Sequence, residues 1–228
     1  MAGIYIHIPF CSKACHYCNF HFSTQHRLLP QMVHAIINEA NLQSNYLNEN
    51  ISTIYFGGGT PSLLQIADCG LMINELKKIF LVNDDAEITL EANPDDINAE
   101  KLKGWKDCGI NRLSIGVQSF NEDDLIWMNR VHNTKQALQC IELAQAEGFS
   151  NISIDLIYGV PGMVIERWKQ NVDSAIALNI PHLSCYALTV EPKTAFEKII
   201  AQHKKENTNA DIQVQHFELL MQWLGAAG

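Results

Sequence analysis

Cys11-Ser12-Lys13-Ala14-Cys15-His16-Tyr17-Cys18 places three cysteines within eight residues. The run before it, Ile4 to Ile8, reads as a short strand. Pro9 ends that run, because proline cannot donate to a sheet ladder. The cysteines therefore lie on a loop leaving a strand. Three thiolates at this spacing can occupy three corners of a cubic iron–sulfur cluster, which is normally held by four cysteines. A cluster held by three leaves one iron open to a small molecule. A zinc knuckle is the alternative, with His16 or His21 as a further ligand, although zinc sites more often pair two Cys-x-x-Cys units. Unconnected thiols are the other alternative.

Composition narrows the setting. The 228 residues suffice for one α/β barrel or two small domains, and 47% hydrophobic against 18% charged content fits a sizeable core. No apolar run reaches the roughly 18 residues of a membrane span. The amino terminus lacks the basic and apolar regions of a signal peptide. Seven cysteines in such a chain fit a reducing cytoplasm. A net charge of −9 argues against broad nucleic-acid binding, and only Arg27, Arg112, Arg130 and Arg167 are available for a local anion site.

Apolar periodicity and β-branched runs alternate along the chain. Strands are expected at Gly3–Ile8, Ser52–Phe56, Glu87–Glu91, Arg112–Gly116, Ile152–Leu156 and His182–Leu188. Helices are expected from about Leu29 to Leu47, around Leu71–Phe80, around Leu102–Cys108 before Gly109, near Asp123–Met128, and over Lys135–Glu147, Glu166–Ala177 and Asp211–Leu224. Residues 189–210 read as a polar loop, and Gly225–Gly228 as a helix end. Such alternation implies right-handed βαβ units on a parallel sheet. Six units are too few for a closed eight-fold barrel, so an α/β fold with a partial (β/α)6 barrel is expected, as one core domain over residues 1–228.

In parallel barrels, chemistry gathers where strands end at their carboxyl side. The cysteines follow the first strand here, and Gly57-Gly58-Gly59-Thr60-Pro61 follows the second. Glu91 ends the third, Gln118 follows the fourth, and Asp155 lies in the fifth. The glycine run lacks the third glycine of a dinucleotide fingerprint and the Gly-Lys-Ser/Thr of a phosphate loop. A tight turn is its plain reading; close backbone approach to a ligand is the functional one. Cys69, Cys108, Cys140 and Cys185 read as small core residues, and His7 as a core or rim histidine.

These motifs together resemble the radical S-adenosylmethionine (SAM) superfamily. Tyr5-Ile-His-Ile-Pro-Phe-Cys11, Gly57-Gly-Gly-Thr-Pro-Ser-Leu63, Glu91-Ala-Asn-Pro94, Ile115-Gly-Val-Gln-Ser-Phe120 and Asp155-Leu-Ile-Tyr-Gly-Val-Pro161 are similar to its HemN/HemW group. The resemblance implies a [4Fe–4S] cluster on Cys11, Cys15 and Cys18, with SAM on the open iron. It implies that the backbone around Gly58, Gly59 and Thr60 receives the SAM ammonium group, that Glu91 binds the ammonium or the ribose, that Arg130 pairs with the carboxylate, and that Gln118 and Asp155 bind the ribose or methionine part. Tyr5 and Tyr17 would pack near the adenosyl group.

Within the group, one branch is the oxygen-independent coproporphyrinogen III oxidases of porphyrin biosynthesis, and the other the heme chaperones. The oxidases carry a further cysteine where this chain has Phe20, whose side chain can only pack, and a long segment before the first strand. Those two departures, with Glu191-Pro192, place the resemblance nearer the chaperones. The implied partners are heme or a related tetrapyrrole and an acceptor protein. The family's carboxyl-terminal domain is expected to be absent here, with heme binding dependent on it. A metal-binding scaffold without turnover is the non-enzymatic alternative.

Overall fold

The computed structural model describes residues 2–228. Its strands are β1 (Ala2–Ile8), β2 (Ile51–Gly58), β3 (Val82–Ala92), β4 (Arg112–Gln118), β5 (Asn151–Tyr158) and β6 (His182–Ala187). They form one sheet in the order β1-β2-β3-β4-β5-β6. The pairs β1–β2, β2–β3 and β5–β6 are parallel. The helices are α1 (Leu29–Leu42), α2 (Ile66–Ile79), α3 (Ala99–Asp107), α4 (Glu122–Trp127), α5 (Thr134–Ala146), α6 (Ile165–Ala177), α7 (Ala195–Ala201) and α8 (Ala210–Ala227). The six expected strand-and-helix units are all present. Contacts divide the chain into two compact units. The first holds the chain up to Ser12, Phe20–Ser114 and Leu143–Asn151; the second holds Lys13–Asn19, Ile115–Glu142 and Ile152–Gly228.

In the first unit the strands have two unlike faces. Ile6, Ile8, Ile54, Phe56, Ile88 and Leu90 are buried, with Met72, Leu76, Leu102 and Trp105 of α2 and α3 also in the core. Burying side chains of this size contributes roughly 1.5–3 kcal/mol each. The intervening positions are polar and in register: Tyr5 lies opposite Tyr55, Tyr55 opposite Thr89, and His7 opposite Gly57. Sheets covered by helices on both faces are apolar on both, so a polar face on a parallel sheet marks where ligands can lie. Helix α3 starts where Asn98 accepts from the Lys101 amide at 2.9 Å, and it stops before Gly109 at φ +96°, the stop that the sequence predicts.

In the second unit Trp168 and Phe196 are fully buried, and the Trp168 indole donates to the His216 carbonyl at 3.0 Å, tying α6 to α8. A buried polar cluster holds the turn after β4. Ser119 donates to Asp124 at 2.8 Å, Arg167 donates to Asp124 at 3.1 Å, and the Asn171 amide oxygen accepts from the Phe120 amide at 2.7 Å.

Several boundaries differ from the sequence reading. Helix α1 stops at Leu42, short of Leu47, where the Asn41 side chain donates back to the Ile37 carbonyl at 2.9 Å and competes for backbone hydrogen bonds. Strand β3 begins at Val82, where pairing with Ile51 outweighs the poor strand propensity of Asp84 and Asp85. Strand β2 runs on through Gly57 and Gly58, which are therefore not a tight turn. Leu71 of α2 is exposed. Helix α8 continues to Ala227. Residues 189–210 are not all loop: α7 lies within them, started by Thr194-Ala-Phe-Glu197, where Thr194 accepts from the Glu197 amide at 3.2 Å. That pattern is a helix-start signature.

Candidate functional site

The first unit carries Cys11 and a polar cluster at the end of β3. The Cys11 amide donates to Ser23 O at 3.0 Å, and its carbonyl is 3.0 Å from His26 Nε2. The Glu91 carboxylate has one donor on each oxygen: the Tyr55 hydroxyl at 2.8 Å on Oε1 and the Gly58 amide at 3.1 Å on Oε2. Burial raises the Glu91 pKa above the ordinary carboxylate range; Tyr55, Gly58 and His7 oppose that rise. Tyr5, 58% exposed, stacks on Tyr55 with ring centroids 5.9 Å apart. Its hydroxyl is 3.4 Å from His7 Nδ1, and His7 itself is exposed on the rim, not in the core.

The three glycines differ in purpose. A Cβ on Gly57 would come within 2.8 Å of both the Tyr5 and Tyr55 rings and 3.0 Å of Glu91 Oε1. Gly58 sits at φ +111° beneath His7. Gly59 packs on protein backbone: a Cβ there would be 2.6 Å from Phe10 O and 2.9 Å from Ile8 O. Thr60 is buried, its amide donates to Phe10 O at 2.7 Å, and its hydroxyl accepts from Asn93 at 3.3 Å. Gly59 and Thr60 thus brace the segment that leads into the cysteines.

The second unit carries Cys15 and Cys18. The Cys18 amide donates to Cys15 O at 3.3 Å, His16 N to Met128 O at 3.3 Å, and Asn129 Nδ2 to Ala14 O at 3.0 Å. Arg130 Nη1 lies 3.4 Å from both Cys15 Sγ and the Tyr17 hydroxyl, and its Nη2 donates to Gly116 O at 2.9 Å. Burial raises the Tyr17 phenol pKa, against the pull of Arg130. Gln118 ends β4, buried, with its backbone at φ +68°, a costly conformation for a residue with a Cβ. His132 Nε2 meets Val117 O at 2.9 Å just before it. Asp155 is half-buried in β5 opposite Ser184. Phe20, expected to pack, is 67% exposed.

Cys11, Cys15 and Cys18 are half-buried, and no cysteine is in a disulfide; Cys69 and Cys140 are buried, Cys108 and Cys185 only partly so. Among the described residues, no three His, Cys, Asp or Glu side chains are grouped to hold one metal ion. The ligands of a cubic cluster each take a different iron, so they need not converge on a single point as zinc ligands do. The donor set fits a cluster in its chemistry: three thiols on one loop, with a cation on Cys15. Glu91 fits an ammonium group, since among the described residues it has no lysine or arginine partner.

The sequence pattern of the radical SAM superfamily matches residues 5–175. The chain belongs to the radical SAM superfamily. Membership and fold imply a [4Fe–4S] cluster and SAM. Similarity extends beyond the shared pattern. The chain is 36% identical to the heme chaperone HemW of Bacillus subtilis over 231 residues, covering 100% of this chain and 61% of that protein. It is 38% identical to HemW of Haemophilus influenzae over 201 residues, 85% of this chain and 52% of that one. The structure of the Escherichia coli coproporphyrinogen III oxidase HemN superposes with a TM-score of 0.87 at 28% identity, covering 99% of this chain and 52% of HemN. Methylornithine synthase, TM-score 0.65 at 11% identity over 96% of this chain, shares the fold alone. The chain spans between half and two thirds of the length of these curated relatives. No helix among the described residues is long and apolar enough to cross a membrane.

Sequence reading did not find Tyr55, His132 or Phe196. Tyr55 looks like any strand aromatic, His132 like any loop histidine, and Phe196 falls in a stretch that reads as polar loop. Each matters through a partner distant in the chain.

Proposed function

We propose that this chain is the cluster- and SAM-binding part of a HemW-type heme chaperone. The supporting observation is 36% identity to HemW across the whole chain. Cys11, Cys15 and Cys18 hold the [4Fe–4S] cluster, with Arg130 beside Cys15. Glu91 takes the SAM ammonium group with Gly58, and Arg130 is assigned to the carboxylate. Gln118 and Asp155 are assigned to the ribose or methionine part, and Tyr5 and Tyr17 to the adenosyl group. Gly59 and Thr60 contribute by fixing the backbone before Cys11. When bound, the cluster supplies a reduced iron at which SAM is held. Heme and a heme-acceptor protein are the partners, in the cytoplasm.

The oxidase reading is favoured by one observation, the TM-score of 0.87 with HemN. Phe20 stands against it, since phenylalanine can neither ligate a metal nor transfer a proton. Anaerobic reconstitution tests the cluster. Replacing Cys11, Cys15 or Cys18 by alanine abolishes iron and sulfide uptake, whereas replacing Cys69 or Cys140 does not; stoichiometric zinc without iron overturns the assignment. In a chain extended to the length of the relatives, heme titration and an assay with coproporphyrinogen III, SAM and reductant separate the branches. Protoporphyrinogen formed with turnover puts the oxidase first.

A further inference from the structure

We infer that Tyr55 is a positioning residue that fixes the Glu91 carboxylate as the receptor for a ligand ammonium group. The inference rests on reading Glu91 as a SAM contact. It adds a residue no motif marks and a condition on pH.

The geometry is specific. Tyr55 and Gly58, three apart on β2, reach across to β3 and hold one carboxylate oxygen each, at 2.8 and 3.1 Å. With both oxygens engaged, the plane of the carboxylate is set. The Tyr55 ring is held in turn by the Tyr5 ring, stacked at an interplanar angle of 21°. Gly57 is the floor beneath: any Cβ there meets both rings and Oε1. Ring packing explains an aromatic residue at position 55, but not its hydroxyl. Phenylalanine would stack equally well and leave Oε1 without a donor.

The hydroxyl also bears on charge. The charged and titratable groups facing Glu91 are few: Tyr5 and His7 from β1 and Tyr55 from β2. The one charged side chain of β4, Arg112, is directed to Glu87 and Thr89, each at 3.4 Å. Burial drives Glu91 toward its neutral form, and the Tyr55 hydrogen bond is the leading force against this. A protonated Glu91 has no charge to offer an ammonium group. Loss of the hydroxyl therefore moves protonation to higher pH and narrows the range over which the ligand binds.

The test uses anaerobically reconstituted wild type, Y55F and E91Q. SAM dissociation constants are measured from about pH 6 to about pH 9, and the Glu91 carboxyl is titrated by infrared spectroscopy as the band missing from E91Q. In Y55F the infrared inflection moves up in pH, and SAM binding weakens about tenfold at the acid end, the equivalent of one hydrogen bond to a charged group. At the alkaline end binding approaches wild type. An infrared inflection unmoved in Y55F overturns the Tyr55–Glu91 coupling, whatever E91Q does. A uniform loss of affinity at every pH reduces Tyr55 to packing and also overturns it. SAM binding by E91Q equal to wild type removes Glu91 from the ligand, and with it the receptor role; the infrared titration then still reports the coupling separately.

Discussion

The Phe196 amide donates to the His16 carbonyl at 3.0 Å, so α7 grips the middle of the cysteine loop. The Phe196 ring lies 4.1 Å from the Trp127 ring and 5.7 Å from His16. Lys205 closes the group, 4.6 Å from the Trp127 centroid, and donates to Trp127 O at 2.7 Å. The loop between Cys15 and Cys18 is thus held by α4, by its continuation and by α7.

Replacing Phe196 by alanine is expected to destabilise the protein by about 3–5 kcal/mol and to speed amide exchange at His16 to Cys18. Hydrogen-exchange mass spectrometry checks this. Unchanged exchange there, with the rest of the fold intact, shows that the grip is not what orders the loop.

Arg130→Lys keeps the charge but not the fork that reaches Cys15, Tyr17 and Gly116 together. A loss of about 1–3 kcal/mol is expected, with weaker SAM binding. Urea denaturation and SAM titration of the reconstituted variant check it. Wild-type values for both would show that a point charge suffices.

Gly59→Ala forces a methyl group against Ile8 and Phe10 backbone, and backbone gives way less than a flexible side chain. The expected cost is about 1–3 kcal/mol, with disturbance of the adjoining Gly59–Ile8 and Thr60–Phe10 hydrogen bonds. Thermal denaturation measures the cost, and a variant as stable as wild type would show that the strand exit is free to shift.

His132 supplies a pH dependence. Burial, with the Arg130 charge adding to it, lowers its pKa from 6.5 to about 3. The unfolded chain takes a proton that the folded chain refuses, so stability is present above about pH 6.5 and is lost as pH falls toward 3. The full effect is on the order of 3–5 kcal/mol. His132→Asn is expected to flatten the loss between about pH 7 and pH 5, measured by urea denaturation. An equal slope in both proteins would assign the acid sensitivity to other groups.

The strand-and-helix alternation, the cysteine loop and the glycine run were legible in the sequence because each is local. Apolar period, β-branched runs and spacing within eight residues need no partner elsewhere. Glu91 and Gln118 could be placed at strand ends, and Asp155 within a strand, for the same reason: the period of a strand and the position of its last residue are read along the chain. What those residues touch could not be read. Tyr55 reaches Glu91 only because β2 and β3 lie side by side in a set register. Arg130 meets Cys15 only because the turn after α4 folds back on the loop. Helix α7 carried a local start signal in Thr194 and Glu197, yet its role comes from Phe196 packing on His16 and Trp127. Pattern along the chain decided where functional groups can stand; the tertiary structure decided which of them act on one another, because hydrogen bonds and ion pairs depend on distance in space and not on separation in sequence.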